Sequence, residues 1–241
     1  PTQPSALLLE NNRIKIKFAE AQNNIYLDFI QNLENGFSFR FDNAPAWKLT
    51  LKNRLTGAKQ EITPATFPST LTKTISGGGS KTLRFLWDDI RLNATNFLDV
   101  ILTVALSQND RTARWKIEAV PNTPDFSLFG VVSPVISVRE LAGDDFLLLP
   151  FYGGVMVHDP INAPAASLLY KMHEFGVDYG PGRFGVQLLA YWSRTDQELL
   201  YLATNDSQGY VKRYPLETQT TAAGKNLVLQ FEHIPINNNV P

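Results

Sequence analysis

Apolar residues return at every second position in one stretch of this chain after another, and that period admits strands and little else. Ile14, Ile16 and Phe18 fall to one side of an extended segment and Arg13, Lys15 and Lys17 to the other, because successive side chains of a strand point to opposite faces. Phe37, Phe39 and Phe41 repeat the pattern after Asn35-Gly36, and Trp47, Leu49 and Leu51 repeat it before a turn that ends at Gly57. Leu83, Phe85 and Trp87, then Leu98 to Leu106, then Trp115 to Ala119 follow in meander-like order, and Asn226 to Ile234 supplies a last alternating segment. Short strands punctuated by turn residues, with almost no helical period, predict an all-β protein: a large antiparallel β-sandwich with at most one or two short helices. The one candidate helix is Ala163 to Met172, where Leu168, Leu169 and Met172 keep helical spacing behind Pro164.

Two runs depart from alternation. Val186 to Trp192 and Leu199 to Ala203 are almost continuously apolar and flank the polar turn Ser193 to Gln197. Strands covered on both faces read this way, so this hairpin is expected at the middle of a large sheet. Pro134 and Pro150 lack the donor an interior strand needs and are expected at bulges, edges or strand ends. Residues 60 to 80, rich in Thr, Ser, Pro and Gly, read as an exposed loop. No repeat or composition shift divides the chain, so residues 1 to 241 are expected to form one sandwich domain.

Lys and Arg number 22 against 23 Asp and Glu, a formal charge of -1, without the basic excess that a general nucleic-acid binder needs. The absence of cysteine removes disulfides, Cys-zinc sites and thiol catalysis and is compatible with both cytoplasm and export. A start at Pro1 within the polar PTQPSA suggests removal of an upstream segment and points to an extracellular or periplasmic location. No apolar run approaches the ~20 residues of a membrane-spanning helix, so no membrane partner is expected.

Gly180-Pro181-Gly182-Arg183-Phe184-Gly185 spells G-x-G-x-x-G, but a dinucleotide site needs a strand before it, a helix after it and a parallel sheet around it. Gly77 to Thr82 resembles the end of a phosphate-binding loop, with serine where its last glycine belongs. A stiffened loop and a hairpin turn are the simpler readings, and no cofactor is expected. Asn93-Ala94-Thr95 and Asn205-Asp206-Ser207 spell glycosylation sequons, which matter only in a eukaryotic secretory pathway.

The catalytic inventory is His158, His173 and His233 with Asp144, Asp145, Asp178 and Asp206 among the acids. No pair of them is set by spacing at the separation that glycoside hydrolysis requires, and loop aspartates most often form turns and caps. No catalytic or metal residue is therefore assigned. Sugar recognition uses aromatic faces flanked by planar polar groups. Tyr152, Tyr179 and Trp192, with His158, His173, Arg183 and Asp206, are the carbohydrate-contact candidates. Tyr210 is a further aromatic, and Tyr191 and Trp192, as strand neighbours, cannot both face the same way, so at least one belongs to the core.

The phrases LENNRIKIKF, YLDFIQNLENG, WKIEAVPN, FLLLPFYGG and LLYLATNDSQGYVKRYPL resemble the N-terminal galactose-mutarotase-like β-supersandwich domain of bacterial glycoside hydrolases of the α-galactosidase-like and endo-α-N-acetylgalactosaminidase-like group. The resemblance implies a non-catalytic domain that packs on a (β/α)8 barrel C-terminal to it. It would shape the sugar cleft through the loops Phe151 to Gly154 and Gly180 to Arg183. The two histidines and the acid of galactose mutarotase find no residue-by-residue match in His158, His173 and Glu174. A stand-alone aldose epimerase or lyase-like enzyme and a structural or adhesive surface domain without sugar are the alternatives.

Overall fold

A computed structural model describes residues 7–21, 24–67, 70–141, 144–149, 154–162, 178–179, 187–205, 212–222 and 224–234. Every regular element among these residues is a strand, and every ladder is antiparallel. The first six strands are β1 (Leu8–Glu10), β2 (Ile14–Ala21), β3 (Asn24–Asn32), β4 (Ser38–Asp42), β5 (Lys48–Asn53) and β6 (Lys59–Ile62). β7 (Thr70–Ser76), β8 (Ser80–Arg91), β9 (Phe97–Ser107) and β10 (Ala113–Asn122) form a meander, followed by the long β11 (Phe126–Arg139). Then come β12 (Asp145–Leu149), β13 (Val155–His158), β14 (Asp178–Tyr179), β15 (Leu188–Ser193) and β16 (Glu198–Ala203). β17 (Lys212–Arg213), β18 (Leu216–Thr221) and β19 (Gly224–His233) close the order.

The turns are made by the residues whose chemistry suits them. Asn53 Oδ1 accepts from the amides of Leu55 (3.0 Å) and Thr56 (2.8 Å), and Gly57, at φ 72°, closes the turn onto the Asn53 carbonyl. Asn11 does more: its Oδ1 accepts from the amides of Arg13 and Ile14. Its Nδ2 donates to the carbonyls of Ser107 and Asp110, both at 2.7 Å, fastening the β1–β2 turn to the β9–β10 turn.

An eleven-stranded sheet runs β1-β2-β3-β4-β11-β19-β17-β14, with β18 also on β19, β5 on β11 and β6 on β5. Two four-stranded sheets, β10-β9-β8-β7 and β13-β12-β15-β16, accompany it among the described residues. Phe18 of the large sheet lies 5.6 Å from Phe85 and 5.5 Å from Trp115, and Trp47 meets Trp87 edge-on at 5.7 Å. The third sheet is tied to the large one where Asn32 Nδ2 donates to Glu198 Oε1 at 2.8 Å and the Leu141 amide donates to the Tyr191 hydroxyl at 3.4 Å. Buried apolar residues of all three sheets form one continuous cluster, with Ala44, Val132, Val135 and Val228 as a satellite. The molecule is an all-β antiparallel sandwich, as the two-residue period predicts.

Pro134 sits where the β11–β19 register slips between Val132 and Val135, the bulge position expected of it. β12 ends at Leu149; Pro150 and the candidate helix Ala163 to Met172 lie outside the described residues. Three expectations are corrected. Residues 60 to 80 do not form one exposed loop: Thr70 to Ser76 pair along their length with β8 as a solvent-facing edge strand, which β-branched Thr and Ile favour. The apolar hairpin is not at a sheet centre, since β16 is an edge strand whose Leu199 and Tyr201 are 55% and 46% exposed. Its apolar run arises because the solvent-side residues are apolar too. A strand covered on both faces is β19, where Leu227 through Phe231 are all buried, Leu227, Leu229 and Phe231 in the main cluster and Val228 in the satellite. Its polar residues mimic alternation while being buried and bonded: Asn226 donates to Asp42 (2.7 Å) and Ser137 (3.0 Å), and Gln230 to Glu217 (3.2 Å).

Candidate functional site

Strand alternation sorts the β13-β12-β15-β16 sheet into two faces. Leu147, Leu149, Val157, Leu189, Tyr191, Leu200 and Leu202 point into the core. Tyr191 is therefore the core member of the Tyr191-Trp192 pair, and Trp192 turns outward. Two rows cross the outer face: His158, Phe146, Trp192 and Leu199 in register, and beside them Met156, Leu148, Ala190 and Tyr201. The first row is an aromatic ladder. Phe146 lies 5.3 Å from Trp192 at an interplanar angle of 17°, and 4.8 Å from the His158 ring at 35°. Phe146 is thus stacked on Trp192 and tilted against His158, so its neighbours on both sides fix its ring orientation.

Polar groups gather at one end of the ladder. His158 Nε2 is 3.0 Å from Asp144 Oδ1, and Arg194 Nε is 3.8 Å from the other carboxylate oxygen. The Arg194 amide donates to the Asp144 carbonyl at 2.9 Å, so the backbone brings these two side chains together. The β15–β16 turn is held by Ser193, whose hydroxyl donates to Asp196 Oδ2 at 2.7 Å and accepts from the Asp196 amide, while Gln197 takes φ 56°. A carboxylate, an imidazole and a guanidinium thus surround the end of a stacked aromatic row, a combination able to grip hydroxyls by donor and acceptor.

Directly behind this face, the buried Asp145 accepts a hydrogen bond from the Tyr191 hydroxyl. Burial pushes the Asp145 carboxyl above its ordinary range against the Tyr191 bond that lowers it. Burial, and then the Asp145 carboxylate, push the Tyr191 phenol up. The pair carries no solvent-facing atom chemistry and pins β12 to β15 from the core side.

Of the sequence candidates, Trp192 and His158 are brought together on either side of Phe146. Tyr179 lies in β14 opposite Lys212, at the edge of the large sheet and on a different sheet from Trp192. Tyr152, His173, Arg183 and Asp206 lie outside the described residues, as does Tyr210. Asp178 is in β14, and His233 ends β19 in register with Val131 and Lys212. Among the described acids of the inventory, Asp144 is the one His158 reaches, with Nε2 3.0 Å from Oδ1. Phe146, Arg194 and Tyr201 join the site unforeseen: period-two counting from Leu199 reaches Tyr201, whereas Phe146 lies inside an unbroken apolar run and Arg194 inside a polar turn. Among the described residues, no group of three His, Cys, Asp or Glu could hold a metal ion, and no helix is long and apolar enough to cross a membrane. Compared with known proteins, the chain matches no protein-family model and no curated protein.

Proposed function

We propose that this chain is a non-catalytic, carbohydrate-associated β-sandwich domain that helps to shape the sugar cleft of a glycoside hydrolase. The observation that carries the reading is the outward aromatic ladder Trp192-Phe146-His158 with Asp144 and Arg194 at its end. Aromatic faces take the C–H surfaces of a pyranose, and the carboxylate and guanidinium take its hydroxyls. The resemblance to galactose-mutarotase-like supersandwich domains supports the same reading, with the catalytic barrel as the domain's partner and an exported enzyme as its setting. Titration of the chain with a panel of oligosaccharides should quench tryptophan fluorescence, and Trp192→Ala should abolish the signal or weaken binding at least tenfold. Trp47 and Trp87 are fully buried and serve as internal controls. Binding that is unchanged in Trp192→Ala rejects this face.

One observation favours a second reading, an aldose epimerase: the His158–Asp144 hydrogen bond is the geometry of a carboxylate-oriented general base. Polarimetry of freshly dissolved aldoses decides it. The proposed function predicts the buffer rate, unchanged in His158→Gln; an enhanced rate lost in that variant would establish the enzyme.

A further inference from the structure

Ala190 is a small residue of the outer face, and larger ones surround it on four sides. Leu188 and Trp192 flank it along β15, Leu148 faces it from β12, and Tyr201 faces it from β16. The resulting open hollow has a volume of about 1080 Å³, just above the range typical of pockets for drug-sized molecules. Its polar groups stand at its ends: Arg194, Gln197 and Glu198 beside the turn, and Gln187 bonded to Thr204 at the other. Between them the floor is apolar at Leu188, Ala190 and Trp192, a span of four residue steps or roughly 13 Å of strand.

A pyranose carries hydroxyls around its whole rim, and over this floor most of them would meet Leu148, Leu188 and Ala190 instead of acceptors, which costs their hydration without return. A sugar ring therefore suits only the Trp192 end, where Arg194 stands with Asp144 3.8 Å from it. Resting on the carbohydrate reading above, we infer that the hollow takes the apolar aglycone of a glycoside, its sugar on the Trp192 end and its alkyl or aryl group over Ala190 against Tyr201. Trp192 is shared by both halves, so the two contacts form one continuous site. Tyr201 and, farther along the same row, Met156 are 46% and 62% exposed, which leaves apolar surface for the ligand to cover.

The test is calorimetry on the full chain with methyl, phenyl and hexyl β-galactosides and β-glucosides, and with hexanol alone. A buried methylene is worth about fourfold in affinity, so partial burial of a hexyl chain should strengthen binding at least tenfold over the methyl glycoside. Ala190→Leu, which raises a branched side chain from the middle of the floor, should erase that gain and leave methyl-glycoside binding in place. Tyr201→Ser removes one wall without adding volume and should also reduce the gain, which guards against a misfolded Ala190→Leu. Equal affinity for methyl and hexyl glycosides, or a gain that survives both substitutions, overturns the inference and leaves the carbohydrate reading standing. Hexanol binding as tightly as hexyl glycoside overturns it in favour of a plain apolar docking face. Failure of every glycoside to bind overturns both.

Discussion

Asp42 and Asp145 are both carboxylates of the sandwich, and their surroundings drive them in opposite directions. Burial pushes Asp42 up, but hydrogen bonds from Asn226, Thr221 and Arg139 outweigh it and hold the carboxyl below its usual range. Its folded-state pKa is depressed, so its contribution is present above the unfolded value of about 3.9 and lost as pH falls through the folded one. Asp145 is the reverse: burial raises its pKa, so the stability linked to its protonated form is present at low pH and lost as pH rises through the folded value. Chemical denaturation across pH 3 to 7 should therefore show Asp42→Asn losing ground to the parent as pH rises, by about 1–2 kcal/mol at neutrality. Asp145→Asn should gain ground over the same interval. Parallel behaviour of the two variants would contradict this assignment. Tyr191→Phe removes the donor to a buried acceptor and should cost about 1–3 kcal/mol, read from the same melts.

At the scale of elements, the most apolar segment and the most buried segment are different strands. Leu229 in β19 is fully buried, whereas Leu199 in β16 is more than half exposed. Leu229→Ala should destabilise by about 2–5 kcal/mol, and Leu199→Ala should stay within about 0.5 kcal/mol, as measured by denaturant midpoints. Equal costs would place β16 in the interior. The period of two was sufficient to find β2, β4, β5, β8, β9 and β10 because their polar positions face solvent, as Lys15 and Lys17 do in β2. It misjudged β16 and β19 for one physical reason: residue type reports exposure only where polar groups are solvated. Tyr201 is aromatic and yet exposed on the outer face of the edge strand β16, and Asn226 is polar and buried because Asp42 and Ser137 bond it. Parity showed that at least one of Tyr191 and Trp192 belongs to the core without saying which, whereas Phe146 was hidden inside the run Phe146 to Leu149, and Arg194 inside a polar turn. Their proximity to His158 comes from strand order β13-β12-β15, which no local pattern encodes.

On the scale of the whole molecule, the large sheet is built by pairing strands from both ends of the chain, with β1 to β6 beside β11, β17 and β19. The candidate face lies on the smaller sheet formed by β12, β13, β15 and β16. Its inner side is fixed to the large sheet through Leu141, Asn32 and the shared core, so the ladder is carried on a rigid support as a binding platform requires. The claim that this outer face meets sugar is tested most directly by mapping amide chemical-shift changes when an oligosaccharide is added to the isotope-labelled chain. The account predicts that they concentrate in residues 144–149, 155–158 and 188–203, with the Trp192 indole N–H among the largest. Shifts confined to the β14, β17 and β19 edge around Lys212 and His233, with none on the ladder, would contradict it.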